Sequence, residues 1–402
     1  MKKFTYEARD RSSNDVVKSM VQAESESSAA KVLIEQGLMP LDIKEIDDNS
    51  SPLAKLTNRI TTKDRILFLR QLSTLIGAGL PLSQSMRTVL EQTQNKRMQR
   101  VVEEIIADVE GGHTLSDSFG KHPEVFDKVV LALVAAGEAS GTLDEALKRV
   151  ATQKEKDAAM MGKIKGAMIY PLIVLVVILG VMIFMLVAVV PQVAKLYEDM
   201  DRTLPFLTAA MIAVANFLIN FWYIAIAVIG IAGYFMSQYF KTDSGTKALD
   251  TFKLNVPVFK GMFRKLYMAR FTRTGQTLLA TGVAMLDMLR ISSDSTNNVV
   301  ISAGIDRAAE KVKGGKALSV ALLPEDYILP MVPQMIRIGE QSGKIDEMMG
   351  KTAQVYEDEL DEEIKAISTA IEPVLMVVLA VFAGGMVGAI LFPIYSLVGG
   401  IR

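Results

Sequence analysis

Three charge-free runs dominate the hydropathy of the chain, over 167–190, 206–240 and 373–398. As helix the first would rise about 36 Å, more than the roughly 30 Å hydrocarbon core of a bilayer, which predicts a transmembrane helix over 166–190. The second is too long for one perpendicular span. Asn216 and Asn220 interrupt it, and Phe221, Trp222 and Tyr223 follow with the interfacial preference of aromatic rings. Two readings of 206–240 stand: an amphipathic lead-in over Thr208–Asn220 and a span from Phe221 to Phe240, or one long tilted helix. The third run predicts a span over 371–398.

Between the spans the apolar period is helical, with spacings of three and four through Ile66–Leu75 and Val101–Val109. Glycine pairs and Pro123, Pro324 and Pro333 mark the breaks. The pattern occurs twice. Phe68, Arg70, Thr74, Leu75 and Gly79 return 203 residues later as Phe271, Arg273, Thr277, Leu278 and Gly282, and Gly111-Gly112 as Gly314-Gly315. At an offset of 202, Gly137-Glu138-Ala139-Ser140-Gly141 returns as Gly339-Glu340-Gln341-Ser342-Gly343, and Pro171 as Pro373. A shared order over such a length means duplication. Each copy, 63–165 and 266–370, is expected to be a bundle of about six helices. The last helix of each, Leu143–Lys165 and Ile345–Ile371, has no strong break before its span, so bundle and anchor are expected to move together.

The first 46 residues differ in period. Phe4–Ala8, Val16–Ala23 and Leu41–Ile46 are strand-like, and Ser25–Gln36 is a capped helix stopped by Gly37, together a small α/β domain. Residues 47–62, with Asp48-Asn49-Ser50-Ser51-Pro52, form a linker. The fold class is therefore mainly α: a polytopic membrane protein with two duplicated cytoplasmic helical bundles, three transmembrane helices and a small N-terminal α/β domain.

Orientation comes from the flanks. Lys154, Lys156, Lys163 and Lys165 precede the first span, and Lys241, Lys247, Lys253, Lys260, Arg264 and Lys265 follow the second. The loop 191–205 holds Lys195 and Arg202 against Glu198, Asp199 and Asp201, making it the poorly basic, periplasmic side. The N-terminus lacks an apolar signal-peptide core and is expected in the cytoplasm, the C-terminus outside it. Half of the 402 residues are hydrophobic and the mean hydropathy is positive, as a membrane protein requires. A formal net charge of −1 offers nucleic acid no global attraction. With no cysteine, thiolate metal sites and cysteine nucleophiles are excluded.

The chain carries little chemistry. Gly350-Lys351-Thr352 lacks the glycine five positions upstream that a P-loop needs, because position 345 is Ile. His113 and His122 read as loop residues, and the acidic run Glu357–Glu363 as a solvated helix face. No catalytic, cofactor or metal site is expected. The Gly-Glu-x-Ser-Gly pair is the sharpest local signal: two glycines permit a tight turn, with Ser140 or Ser342 available to cap the following helix. It reads either as an interhelical corner or as an exposed corner where Glu138 and Glu340 hold a partner or a cation. Glu372 before Pro373 is either an interfacial carboxylate or a polar contact to a neighbouring or client helix. Gly384 and Gly388, with Ala380, make a small-residue helix-packing stripe. Lys63, Arg65 and Arg70, and Arg264, Lys265, Arg270 and Arg273, are candidate docking surfaces or headgroup contacts.

With these residues the chain resembles the PilC/GspF family of inner-membrane platform proteins of type IV pilus and type II secretion machines. The resemblance rests on Tyr6-Glu7-Ala8-Arg9-Asp10, the duplicated Phe-x-Arg, Thr-Leu and Gly positions, both Gly-Glu-x-Ser-Gly corners, Tyr170-Pro171, Leu204-Pro205 with Thr208, and Glu372-Pro373. It covers nearly the whole chain. It implies a scaffold coupling a cytoplasmic hexameric assembly ATPase to insertion of pilin or pseudopilin transmembrane helices, with accessory inner-membrane assembly proteins and self-association. Gly275, Gln276 and Thr281 replace Leu72, Ser73 and Ala78 between copies, so the two bundles need not present equivalent surfaces. The alternative is a secondary membrane transporter, against which stands the lack of charge within the spans.

Overall fold

The computed structural model describes residues 2–10, 16–23, 28, 30, 33, 38–45, 59–189, 191–192, 195 and 206–399. Most of the helix expected over Ser25–Gln36, of the linker 47–62 and of the loop 191–205 lies outside them. The chain divides into two compact units, Met1–Asp64 with Leu90–Glu104, and Arg65–Val89 with Ile105–Arg402.

In the first unit β1 (Lys2–Asp10) lies between β2 (Val16–Ala23) and β3 (Leu38–Glu45), both antiparallel to it. The β1–β3 register slips between Glu7 and Ala8, a bulge that local alternation does not announce. Here the helix α1 (Thr62–Gly77) starts with a reciprocal cap: Thr61 N donates to Asp64 Oδ2 at 2.8 Å and Asp64 N to Thr61 Oγ1 at 3.2 Å.

There follow α2 (Leu82–Gln92), α3 (Lys96–Glu110), α4 (Leu115–Gly120), α5 (Lys128–Ser140) and α6 (Leu143–Phe184), the last ending in a π turn, Met185–Val189. Next come α7 (Phe206–Tyr239) and α8 (Asp243–Asn255). The second copy runs through α9 (Lys260–Leu279), α10 (Met285–Ser295), α11 (Val299–Lys313), α12 (Leu318–Leu322), α13 (Met331–Ser342) and α14 (Ile345–Gly399). Each copy thus has six helices, from α1 to α6 and from α9 to α14.

The duplication extends to the caps. Asn95 Oδ1 accepts from Arg97 N and Met98 N at the start of α3, as Asn298 Oδ1 accepts from Val300 N and Ile301 N at the start of α11. The cores are filled differently. In the first copy Phe119 and Phe126 stack at 4.0 Å and Phe68 tilts against both. In the second, the buried counterparts are Phe271, Leu322 and Ile328.

Among the described residues three helices are long and apolar enough to cross a membrane, over Leu143–Val189, Ile219–Tyr239 and Ile345–Gly385. Their apolar runs lie open, with Ile229 and Val381 each 71% exposed, as lipid-facing side chains would be. Both α6 and α14 pass through a proline, Pro171 and Pro373, without ending. In contrast α7 bends at Phe221, where φ −124° and ψ 20° leave the helical region. Two helices meet at this kink, where the first reading of 206–240 divides the lead-in Thr208–Asn220 from the span that starts at Phe221.

Candidate functional site

The two corners are built by their glycines. A Cβ on Gly137 would lie 2.5 Å from Ala146 Cβ, and one on Gly339 2.7 Å from Ile345 Cα, so only glycine lets α5 and α13 cross the following helix this closely. The second glycine turns the chain: Gly141 and Gly343 stand at φ 72° and 71°. Thr142 N then donates to Gly137 O and Lys344 N to Gly339 O, each at 2.8 Å.

The acid between the glycines is not presented to solvent as a free carboxylate. Glu138 accepts from Ser116 N at 3.0 Å, from Ser116 Oγ at 2.6 Å and from Leu115 N, so it caps the start of α4. Glu340 does the same for α12, accepting from Ser319 N at 3.2 Å and from Ser319 Oγ. A carboxylate at a helix N-terminus meets unpaired amides and the positive end of the helix dipole. The expectation for the serines is corrected. Ser140 Oγ donates back to Ala136 O at 2.7 Å and Ser342 Oγ to Ile338 O at 2.8 Å, tying each to the helix it ends, and neither caps an amide of the next.

Arg70 and Arg273 are likewise spent inside the molecule. Arg273 Nε and Nη2 hold Glu357 at 2.7 and 2.9 Å, and Arg70 Nε holds Glu155 at 2.8 Å, which keeps the Glu155 carboxyl below the usual range. Each pair binds the first helix of a repeat to the long helix that leaves it. Arg264 Nε donates to Leu254 O at 3.1 Å and its guanidinium lies over the Tyr327 ring. Lys265 pairs with Glu359 and Glu363 at 3.2 and 2.9 Å. Arg70, Arg264, Lys265 and Arg273 thus each have a partner within the chain.

The acidic run is a seam. Glu357 also accepts from Lys156 of α6 at 3.1 Å, and Asp361 pairs with Lys163 of α6. Asp358 and Glu362 alone of that run keep the solvated position expected of all six. Deeper in, Gln153 Nε2 donates to Thr274 Oγ1 at 2.8 Å, and at the surface Lys128 pairs with Asp294 at 2.6 Å. The two repeats are thus joined along α6 and α14.

Beside this seam lies a cleft of about 450 Å³ lined by Gln153, Lys154, Asp157, Arg270, Thr274 and Asp294, among others. Asp157 sits ahead of the apolar run, and burial raises its carboxyl above the usual range while Arg270 and Lys154 oppose the rise. A raised folded-state value means that proton binding favours the fold. This contribution is present at acid pH and is lost as pH rises through the folded value. Asp157→Asn is therefore expected to raise the thermal midpoint at neutral pH by a few degrees, with the gain shrinking on acidification. A gain that does not change with pH would refute the assignment. Nothing in the sequence marked Asp157, because Arg270 and Thr274, which face it across the cleft, come from a repeat more than a hundred residues away.

Glu372 is exposed on α14 and Pro373 follows within the same helix. A Cβ added to Gly384 or Gly388 would meet nothing within 4 Å, leaving that face open to a close helix approach.

The arrangement matches known sequences throughout its length. The family model "Type II secretion system (T2SS), protein F" matches twice, over residues 68–191 and 271–393, and that of its N-terminal domain matches residues 1–44. The chain is 35% identical over 401 residues to a type IV pilus assembly protein PilC of Thermus thermophilus, covering 98% of each. It is 35% identical over 366 residues to PilC of Pseudomonas aeruginosa, covering 91% of this chain and 97% of that one. To type II secretion system protein F of Xanthomonas campestris it is 32% identical over 402 residues and 99% of each. The paired matches coincide with the duplicated helices and both corners, and the chain belongs to the type II secretion system protein F family, which includes the PilC proteins.

Proposed function

We propose that this chain is the inner-membrane platform of a type IV pilus or type II secretion pseudopilus machine. Its N-terminus and both repeats face the cytoplasm, where a hexameric assembly ATPase acts on them, and its C-terminus faces the periplasm. Pilin or pseudopilin helices leave the bilayer along its spans, and accessory inner-membrane assembly proteins and further copies of the chain complete the platform. The observation that carries this reading is continuity. Each repeat is locked to a helix, α6 or α14, that runs without interruption into an apolar span. A push or rotation on a repeat displaces its span, since the corner, the arginine clamp and the seam leave little slack between them. The open face at Gly384 and Gly388 supports a role in admitting a second helix, and Glu372 stands at the membrane edge about 18 Å back along the same helix. The platform moves and does not cut or join bonds.

Two measurements test this. A photoreactive residue at position 372 is expected to capture a pilin or pseudopilin in cells expressing the whole machine. Recovery of lipid adducts alone would remove the client-helix role. The purified chain is expected to turn over no ATP, and activity that tracks the protein through successive columns would defeat the scaffold assignment.

A further inference from the structure

We infer that the cleft between α6 and α9, lined by Asp157 and Arg270, binds a small zwitterion of the amino-acid class, its ammonium towards α6 and its carboxylate towards α9. The cleft lies within the second compact unit and draws on both repeats, with α5 and α6 from one and α9 and α10 from the other. Its volume of about 450 Å³ is in the range of small-molecule sites, and Phe126, Val129 and Ile291 give it an apolar wall. The charged side chains divide into those already matched and those left over. Lys128 closes on Asp294 at 2.6 Å and Lys154 on Asp127. Asp157 and Arg270 remain, and neither has a hydrogen bond or a closed ion pair among the described residues. They feel each other across the cleft, since Arg270 opposes the rise that burial imposes on the Asp157 carboxyl. A third group is also incomplete. Gln153 is 5% exposed and its Nε2 is committed to Thr274, but its Oε1 has no donor.

The spacing of these groups sets the chemistry of the ligand. Gln153 and Asp157 are four residues apart and so share one face of α6, as Arg270 and Thr274 share one face of α9. One wall therefore offers two vacant acceptors and the other a vacant donor fork. A buried acceptor without a donor destabilises the fold, and a carboxylate held away from water does so more strongly. An ammonium satisfies both acceptors at once, because it carries several N–H donors and the charge that Asp157 lacks beside it. A carboxylate suits the guanidinium of Arg270, whose paired N–H groups match two oxygens. One positive and one negative group on a small body meet all three needs. A phosphate would set oxygen against the oxygens of Gln153 and Asp157. A metal ion lacks its ligands, since among the described residues no three His, Cys, Asp or Glu are grouped to hold one. A molecule held from both walls ties α6 to α9, and with them one repeat to the other.

The full-length protein in detergent would be titrated by calorimetry with each of the standard amino acids and with γ-aminobutyrate. At least one is expected to bind with a Kd of about 1 mM or less. Its methyl ester keeps only the positive charge and its N-acetyl form only the negative one, and each is expected to bind at least about tenfold more weakly. Asp157→Asn and Arg270→Gln are each expected to weaken binding of the same amino acid at least about tenfold. Lys148→Ala, in the neighbouring groove on which Gln153 also borders, is expected to leave it unchanged. Thermal midpoints report whether each variant folds. Asp157→Asn, the more stable protein when empty, keeps the question answerable if Arg270→Gln does not. Absence of saturable binding by every zwitterion overturns the site, as does equal affinity for the ester or the N-acetyl form. Full affinity in Asp157→Asn, or a loss confined to Lys148→Ala, overturns it too.

Discussion

Gly339→Val is expected to unfold the second repeat at a lower temperature and to stop fibre output even where the protein still accumulates. A Cβ at this position falls 2.7 Å from Ile345 Cα and 3.1 Å from Ile345 N, and backbone atoms cannot move aside as a flexible side chain can. Overpacking of this kind costs about 1–3 kcal/mol when the surroundings yield, and valine adds two more methyl groups to the same gap. The displaced element is the start of α14, a helix of 55 residues and about 80 Å, so a shift at the corner is carried to the membrane edge. Gly343→Ala supplies the comparison. Its φ of 71° disfavours alanine by about 1 kcal/mol, but nothing lies within 4 Å of the added methyl, so α14 keeps its path. Thermal unfolding in detergent and counts of assembled fibres should separate the two variants, Gly343→Ala retaining assembly and Gly339→Val losing it. Normal assembly by Gly339→Val would show that the close crossing is not needed.

The corner was legible in the sequence because it is local: two glycines four apart, occurring twice, announce a turn wherever they stand. What Glu138 and Glu340 do was not legible. Their partners, Ser116 and Ser319, lie on short helices more than twenty residues upstream, and no period links them. Ser140 and Ser342 have a hydroxyl equally able to cap forward or bond backward. The left-handed glycine that follows them turns the chain away, and the carbonyls of Ala136 and Ile338 are the acceptors within reach.

Long range also explains the acidic run. Read alone, Glu357–Glu363 has the composition of a wet helix face. Its alternate members nevertheless meet Lys156, Lys163, Lys265 and Arg273, the first two of them cations that sequence reasoning counted only as membrane flanks. The spans and the duplication, by contrast, are carried by hydropathy and by self-similarity, which need no knowledge of contacts. The bend at Phe221 falls between: Asn220 and the aromatic triplet marked the place but not the backbone angles that break the helix there.

The Arg273–Glu357 pair should be worth far more than its counterpart in the first repeat, although the sequence presents them as equivalents. Arg273 and Glu357 side chains are 13% and 12% exposed, against 36% and 41% for Arg70 and Glu155. Removing one partner of a well-shielded pair strands the other charge away from water, a loss of about 3 kcal/mol. A pair open to solvent contributes under about 1 kcal/mol. Glu357 also holds Lys156 of α6, so Glu357→Ala frees the seam between the repeats as well as the clamp within one. Arg273→Ala, Glu357→Ala and the double variant, measured as a cycle, should therefore show a coupling of about 2 kcal/mol or more, while the matching cycle at Arg70 and Glu155 shows a few tenths. Equal couplings would mean that burial does not set the strength of the clamp. If Lys156 transmits motion between repeats, Lys156→Ala should reduce fibre output beyond what its small effect on unfolding accounts for, because the helices then remain folded but slide past one another at the level where the two repeats meet.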